Sequence, residues 1–273
     1  MTASVVDARK DRNRQHLALL ARWCATVFAV PAIVVAVLVA LMARPVFIGI
    51  LVGIVLYAAV SFLVYAHVRR FGSAAVAALG GAELAAGDGD PAPTARLENL
   101  LDGLCLAHGV ARPRVLVLPT TSANAATIAV TDRTREVVLV LTRPVIDDLA
   151  RIELEGLLAQ QLSHVRDGDT ALSTFVAAVA SVPVIGSFLG RRAGAALDPH
   201  LETAADLAGA SMTRYPPGVA AALGRLAERP TTIAGVAPTE AHLWVADPLT
   251  APAAEPYVPH PPLADRIEIL HEL

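Results

Sequence analysis

The chain has 273 residues, of which 55% are hydrophobic and 17% are charged, against about 25% charged residues in an ordinary soluble domain. Its net charge of -3 gives no reason to expect a nucleic-acid partner. Two cysteines, Cys24 and Cys105, are too few for a disulfide framework, and we expect both to be small buried hydrophobic residues.

Two long apolar segments lie near the N-terminus. A basic stretch over residues 1–15 precedes segments 23–43 and 46–66, which carry no charged residue and are each long enough to cross a bilayer as a helix. Only Arg44 and Pro45 separate them, so a tight antiparallel hairpin is predicted. Basic residues flank both outer ends, and the positive-inside rule therefore places both in the cytoplasm. The expected protein is a multi-pass protein of the plasma membrane with a cytoplasmic domain.

The rest of the chain is predicted to form that domain. Residues 1–70 contain the hairpin, residues 71–94 are predicted to be a linker because Gly, Ala, Pro and Asp dominate from position 80, and residues 95–273 form the domain. Leucine spacing and β-propensity predict helices over 96–108, 148–164, 201–212, 217–228 and from about 263, and strands over 113–119, 127–130 and 136–141. The last two strands should pair as a hairpin. The fold class is therefore α+β and helix-dominated, with a small β-sheet.

One stretch contains part of a metal-binding pattern. A catalytic zinc helix reads H-E-x-x-H, because residues at i and i+4 share a helix face and their imidazoles converge on one ion, while the Glu polarises the attacking water. Here the five residues read Gln160-Gln161-Leu162-Ser163-His164. Only the second histidine is present, and half a motif recurs by chance.

The motifs around this window carry more weight than the window itself. The sequence contains, in this order, Ser122-Ala-Asn-Ala125, Glu153-Leu-Glu-Gly156, Leu162-Ser-His164, Glu202-Thr-Ala-Ala-Asp206, His260-Pro-Pro262 and Arg266-Ile267. In order and approximate spacing, over nearly its full length, the chain resembles the HtpX-type membrane zinc metallopeptidases, relatives of the CAAX prenyl endopeptidases. The resemblance implies a zincin-type, metallopeptidase-like domain.

The resemblance also implies roles for single residues. His164 matches the second zinc ligand and Glu202 the third, while Asp206 matches a supporting carboxylate one turn further on. His260 and Arg266 match C-terminal elements near the site, where His260 could contact substrate or stabilise an oxyanion. The residues alone leave simpler interpretations open, because Glu202 and Asp206 could form a solvated helix face and Arg266 could pair with an exposed acid.

Asn124 is the last position that the resemblance assigns. It matches an edge segment against which a substrate backbone would lie, although an Asn before a strand could also be only a turn residue.

Two departures from the family pattern bear on activity. Gln160 stands where the family has its first ligand, and a neutral amide is a poor zinc ligand. Gln161 stands where the family has its general base, and an amide cannot take the proton from water at neutral pH. Family chemistry would be that of a zinc metalloendopeptidase, but peptidase activity by that mechanism is not expected, and neither is a cofactor.

A third departure lies between the two metal-binding helices. Residues 170–190 are uncharged, and a single membrane crossing there would put His164 and Glu202 on opposite sides of the bilayer. We therefore expect a membrane-associated insertion at about 170–190, formed as a re-entrant or interfacial hairpin broken near Pro183, or as a helix packed on the soluble domain.

These observations favour an inactive HtpX-type homologue that binds partners. The expected partners are the lipid bilayer and membrane proteins or unfolded peptides held along the former substrate groove, including an active homologue. An alternative is an active zinc-dependent membrane endopeptidase in which His108, His200 or His260 supplies the missing ligand. A third possibility is a membrane scaffold whose groove is closed. One equivalent of zinc in the purified protein would favour the alternative, whereas peptide binding without zinc would favour the first hypothesis.

Overall fold

Two long helices form the N-terminal hairpin. The computed structural model describes residues 2–43, 46–84, 91–131, 136–250 and 260–273. Helix α1 spans Thr2–Ala43 and α2 spans Val46–Ala78, and both are long and apolar enough to cross a membrane. They pack against each other, which confirms the predicted helical hairpin, while the turn at positions 44 and 45 lies outside the described residues.

The segment predicted to be a linker is largely ordered. Helix α2 continues to Ala78 because its last turns bury Phe71, Ala75 and Val76 against the sheet. A short strand β1, Ala82–Glu83, follows, and the next helix begins at Pro91. The expectation of a linker over residues 71–94 is therefore corrected for its described part, and residues 85–90 lie outside it. Composition alone did not reveal that one face of α2 packs on the domain.

Four strands form the sheet, in the order β1-β2-β4-β3. Strand β2, Arg114–Leu118, runs parallel to β4, Glu136–Thr142, and β3, Ala125–Val130, pairs with β4 in antiparallel register. The predicted hairpin is thus confirmed, with residues 132–135 of its turn outside the described part. Strand β3 lies at one end of this order, and no further strand of the sheet pairs with its outer side among the described residues.

Helices pack on the sheet around a central helix α5. The domain helices are α3 (Pro91–His108), α4 (Arg143–Asp147), α5 (Arg151–Asp167), α6 (Asp169–Ala180), α7 (Gly186–Gly194), α8 (Leu201–Thr213), α9 (Pro216–Ala227) and α10 (Leu263–His271), with a 3-10 turn at Pro238–Leu243. Helix α5 buries Leu157, Leu158 and Leu162 completely. Gly209 of α8 permits a close approach to α5, because a Cβ there would lie 2.7 Å from the backbone nitrogen of Gln160. The helix-dominated α+β class is confirmed.

The apolar insertion forms two short helices. Helix α6 ends at Ala180 and α7 begins at Gly186, so the chain breaks around Pro183 as predicted. Neither helix has the roughly 20 residues that a membrane crossing needs. Helix α6 packs on β3 and on α1, and α5 packs directly on α8.

Candidate functional site

All five residues of the window are buried, and Gln160 and His164 face Glu202 at the start of α8. His164 Nε2 is 3.4 Å from Glu202 Oε1, and His164 Nδ1 is 3.5 Å from Asp169 Oδ2. Asp169 reaches the ring because Gly168, at a φ of 79°, turns the chain sharply between α5 and α6. The sequence-based expectation that His164 and Glu202 meet across 38 positions is confirmed.

The two glutamine side chains complete this cluster. Gln160 Nε2 donates a hydrogen bond to Glu202 Oε2 at 3.0 Å and lies 3.4 Å from His164 Nε2, as their i,i+4 spacing predicts. Gln161 Nε2 donates to Gln160 Oε1 at 2.6 Å. Gln161 Oε1 is buried without a hydrogen-bond partner in the part of the chain that the structure describes. The amide of Gln160 therefore stands beside the carboxylate and acts as its donor.

A buried arginine supports Glu202 from behind. Arg266 is fully buried and holds Asp206 through two hydrogen bonds of 2.7 Å, from Nε and Nη2. Its Nη2 is also 3.4 Å from Glu202 Oε2. Burial raises the pKa of Asp206 to about 6, although the hydrogen bonds and the charge of Arg266 oppose this rise. Arg266 therefore pairs with buried acids. The alternative left open by the sequence, a pairing with an exposed acid, does not apply.

Charge pairing fixes the protonation of the histidine. Burial by itself lowers the pKa of His164, but the charge of Glu202 and the hydrogen bonds to Asp169 and Glu202 outweigh it and raise that pKa to about 10. Burial raises the pKa of Glu202 and of Asp169, while contact with His164 lowers both below their usual range. At neutral pH the cluster is an imidazolium held between two carboxylates.

These side chains do not fit a zinc ion. A catalytic zinc site needs three protein donors with an open fourth position. Here the group beside both His164 Nε2 and Glu202 is the Gln160 amide, whose nitrogen donates to the carboxylate, while Asp169 lies at the other ring nitrogen, Nδ1. Within the described residues, no three His, Cys, Asp or Glu side chains are grouped so that they could hold a metal ion. His164 and Glu202 are instead satisfied by protein partners.

Three of the residues assigned to substrate contact or to site support bind the chain's own backbone. Segment 244–246 lies antiparallel to the start of β3, where Val245 N donates to Ala125 O at 2.8 Å. His260 Nε2 donates to Trp244 O at 2.8 Å, and Arg266 Nη1 donates to Val245 O at 2.5 Å.

Asn124 clamps the same segment. Its Nδ2 donates to Ala246 O at 2.9 Å and to Thr231 O at 2.7 Å, and its Oδ1 accepts from Ala246 N at 3.2 Å. Asn124 is completely buried. The resemblance assigned Asn124 to an edge segment against which a substrate backbone would lie, and in the structure the chain's own segment 244–246 lies against this end of β3.

The N-terminal part of α1 reaches the site, which the sequence did not reveal. Arg9 Nη2 forms an ion pair with Asp169 Oδ2 at 2.8 Å, and Asn13 Nδ2 donates to Asp169 Oδ1 at 2.6 Å. These partners are 160 and 156 positions apart, and the basic N-terminal stretch was interpreted only as a signal of membrane orientation. No local pattern could have indicated the pairing.

His242 is a second residue that sequence reasoning missed. Its Nε2 donates to Ser173 O at 2.9 Å, and burial lowers its pKa to about 4. It lines two small cavities beside Glu202, of about 20 and 10 Å³. Each cavity has room for roughly one water molecule. His108 ends α3, and His200 is exposed before α8. Neither of these two candidates for a missing ligand lines the cavities.

Comparison with known proteins gives a consistent picture. No family model matches the chain. The chain is 27% identical over 207 residues to a protease HtpX homolog of Dictyoglomus thermophilum, covering 64% of this chain and 68% of that protein. It is 27% identical over 244 residues to a protease HtpX homolog of Tropheryma whipplei, covering 77% and 82%. For a protease HtpX homolog of Pyrococcus furiosus, the identity is 26% over 213 residues, covering 65% and 73%.

The chain is similar to protease HtpX homologs. The alignments cover about two thirds to three quarters of it, which is less than the nearly full-length resemblance seen in the motifs. Two long apolar helices, together with the similarity to protease HtpX homologs, indicate a membrane protein. In this HtpX homologue, the two residues before Leu162 on α5, Gln160 and Gln161, carry amide side chains. Their hydrogen bonds to Glu202 and to each other determine what the site can bind.

Proposed function

We propose that this HtpX homologue is catalytically inactive and acts by binding membrane proteins instead of cleaving them. One observation carries the proposal: the Gln160 amide donates to Glu202 at 3.0 Å, at the place where a peptidase of this family needs a metal ligand. The same carboxylate also faces His164 and Arg266. Protein groups therefore balance its charge.

The position of the general base supports the same conclusion. Hydrolysis needs a group that takes a proton from the attacking water, and a positioned base contributes about 10²–10⁴ in rate. Gln161 stands at the position that the family pattern gives to this base, and its amide nitrogen is used to bond Gln160. We propose that the ligand and the base were lost on the same turn of α5, so the two losses affect one reaction together.

The surroundings of the site bear on which partners fit. The cavities beside Glu202 hold about one water each, and segment 244–246 covers the start of β3. A larger cavity of about 260 Å³ lies on the Asp169 side of the cluster, between α1 and the start of α8, and exposed apolar side chains such as Leu41 and Phe62 line the two long helices. We propose a multi-pass protein with a cytoplasmic domain, whose partners meet it at the membrane.

Activity and metal content can be tested on the purified full-length protein. We expect no cleavage of casein or of an unfolded membrane protein with added zinc, and less than one equivalent of bound zinc. The matched controls are His164→Ala and the double variant Gln160→His/Gln161→Glu, which restores the family motif. Cleavage that is abolished both by a chelator and by His164→Ala would contradict the proposal and establish a zinc endopeptidase with a non-standard ligand set.

Partner binding needs a separate measurement. A photo-crosslinking amino acid at Phe62, which is exposed on α2, should give a discrete protein adduct in native membranes. The matched control is the same crosslinker at Leu106, which is exposed at the end of α3. A ladder of lipid adducts alone at position 62 would contradict a membrane-protein partner.

A further inference from the structure

The connection between α6 and α7 lies where both long helices change from apolar to polar sequence. We call residues 181–188 the tip. His67, the first polar residue after the apolar segment of α2, is hydrogen-bonded through Nε2 to Ser181 Oγ at 2.9 Å. Trp23, at the start of the apolar segment of α1, has its ring centroid 6.1 Å from that of Phe188. Both ends of the tip are therefore fixed at the level of the membrane boundary, where Trp and other amphipathic rings are enriched.

Helix α6 holds the tip at this depth. It begins beside Asn13, which bonds Asp169, and its second half meets α1 around Cys24 and Phe28. The two helices therefore run in the same direction, from the polar part of α1 into its apolar part. The tip stands at the apolar end of this contact.

The outer surface of the tip is apolar and uncovered. Val184 is 100% exposed and Phe188 is 49% exposed, while Val182 and Leu189 bury their side chains towards the protein. Val184 also adopts a φ of 71°, a strained region for a β-branched residue that glycine would occupy without strain. No part of the chain that the structure describes covers this valine.

Positive charge follows the apolar surface. Arg191 and Arg192 are exposed on α7, three and four positions after Phe188, and therefore on the same side of the helix. An aromatic and aliphatic surface bordered by cationic side chains is the pattern of segments that lie in the membrane interface and contact anionic headgroups.

We propose that the tip inserts into the boundary layer of the bilayer as a third membrane contact, beside α1 and α2. Val184 and Phe188 enter the acyl boundary, and Arg191 and Arg192 bind anionic lipid headgroups. The proposal rests on the membrane embedding of the hairpin and is independent of whether the site on α5 hydrolyses peptides. A protein partner covering the same apolar surface is the competing outcome.

Depth-dependent quenching tests the insertion directly. The full-length protein, with Cys24 and Cys105 replaced by Ala, is placed in nanodiscs that contain a quarter of phosphatidylglycerol, and an environment-sensitive fluorophore is attached at Val184→Cys. We expect at least twofold quenching by lipids with a spin label near the headgroup. The same fluorophore at Leu106→Cys, which is 88% exposed, should be quenched by aqueous iodide and not by these lipids.

Two results would overturn the proposal. One is a probe at position 184 that iodide quenches as strongly as the probe at 106. The other is a probe that is shielded in native membranes but not in nanodiscs of pure lipid, because a protein partner would then be the occupant. Binding of headgroups by the two arginines is tested with the double variant Arg191→Glu/Arg192→Glu. It should reduce the lipid quenching of the fluorophore at position 184 at least twofold in anionic nanodiscs, and unchanged quenching would contradict headgroup binding.

A substitution at Val184 separates insertion from folding. Val184→Gly removes both the apolar side chain and the backbone strain, so the Tm in detergent should rise or stay unchanged. Lipid quenching of a fluorophore at Ser187→Cys, also exposed in the tip, should fall at least twofold. Quenching at position 187 that does not change with Val184→Gly would show that Val184 does not anchor the tip.

Discussion

The buried pair of Arg266 and Asp206 allows a quantitative test of what holds the site together. Both side chains are at most 1% exposed, and Arg266 makes two bonds of 2.7 Å to Asp206 and one to Val245 O. Replacing Arg266 by Met leaves a buried carboxylate without its cation, which costs about 3–5 kcal/mol. At roughly 2–4 °C per kcal/mol for a domain of this size, the Tm should fall by about 6–20 °C.

The pH dependence of this loss has a definite sign. The pKa of Asp206 is raised to about 6 in the folded protein, so its contribution to stability is largest below the unfolded value of about 3.9 and is lost as the pH rises through 6. Without Arg266 the pKa of Asp206 in the folded protein rises further, so the protein continues to lose stability as the pH rises above 6. The Tm difference between Arg266→Met and the wild type should therefore be larger at pH 8 than at pH 5.

Trp244 provides the assay, because it is buried next to the carbonyl group that Arg266 binds. Its fluorescence is followed on heating in detergent, in a Trp23→Phe background. A double variant, Arg266→Met with Asp206→Leu, removes both charges and should recover part of the lost Tm, because an apolar pair can replace a buried ion pair. The reasoning is refuted if the single variant melts within about 2 °C of the wild type, or if the difference is equal at both pH values.

Three further predictions follow from packing, hydrogen bonding and topology. Gly209→Ala should destabilise the protein by about 1–3 kcal/mol by overpacking, whereas Gly103→Ala, which meets no atom within 4 Å, should be neutral or stabilising; equal melting curves would contradict this. Asn124→Ala leaves buried backbone groups unpaired and should cost about 1–3 kcal/mol for each group, and an unchanged Tm would show that the clamp does not contribute. Cysteines at Ala8 and Ala95, in a background lacking native cysteines, should react only after cells are opened; labelling from outside would reverse the proposed topology.

Local patterns predicted the elements that depend on local sequence. The helix expected over 201–212 is Leu201–Thr213, because the periodicity that predicts it lies within a short stretch of sequence. The approach of His164 to Glu202 was also predictable, since the family motifs preserve the spacing that brings two helices together. The share of α2 that packs on the sheet was not predictable, because Gly, Ala and Ser are common both in linkers and in closely packed helices.

The contacts that close the site depend on the tertiary fold. Nothing in the sequence near Asn124 indicates that segment 244–246 pairs with β3, because the partners are more than 100 positions apart. The same applies to His242, whose surroundings contain no recognisable motif. Sequence patterns therefore located the residues of the site but could not show whether its groove was open.

The ion pair between Arg9 and Asp169 has a consequence for biosynthesis. The hairpin of α1 and α2 ends at Ala78, so it can enter the membrane while most of the domain has not yet been made. At about 5–20 residues per second, the 160 residues that separate Arg9 from Asp169 take roughly 8–32 s to synthesise. During that time Arg9 and Asn13 remain hydrated at the membrane surface without their partner. The polar cluster around His164 therefore assembles late, and a ribosome stalled before position 169 would leave an inserted hairpin with a basic, unpaired N-terminal helix.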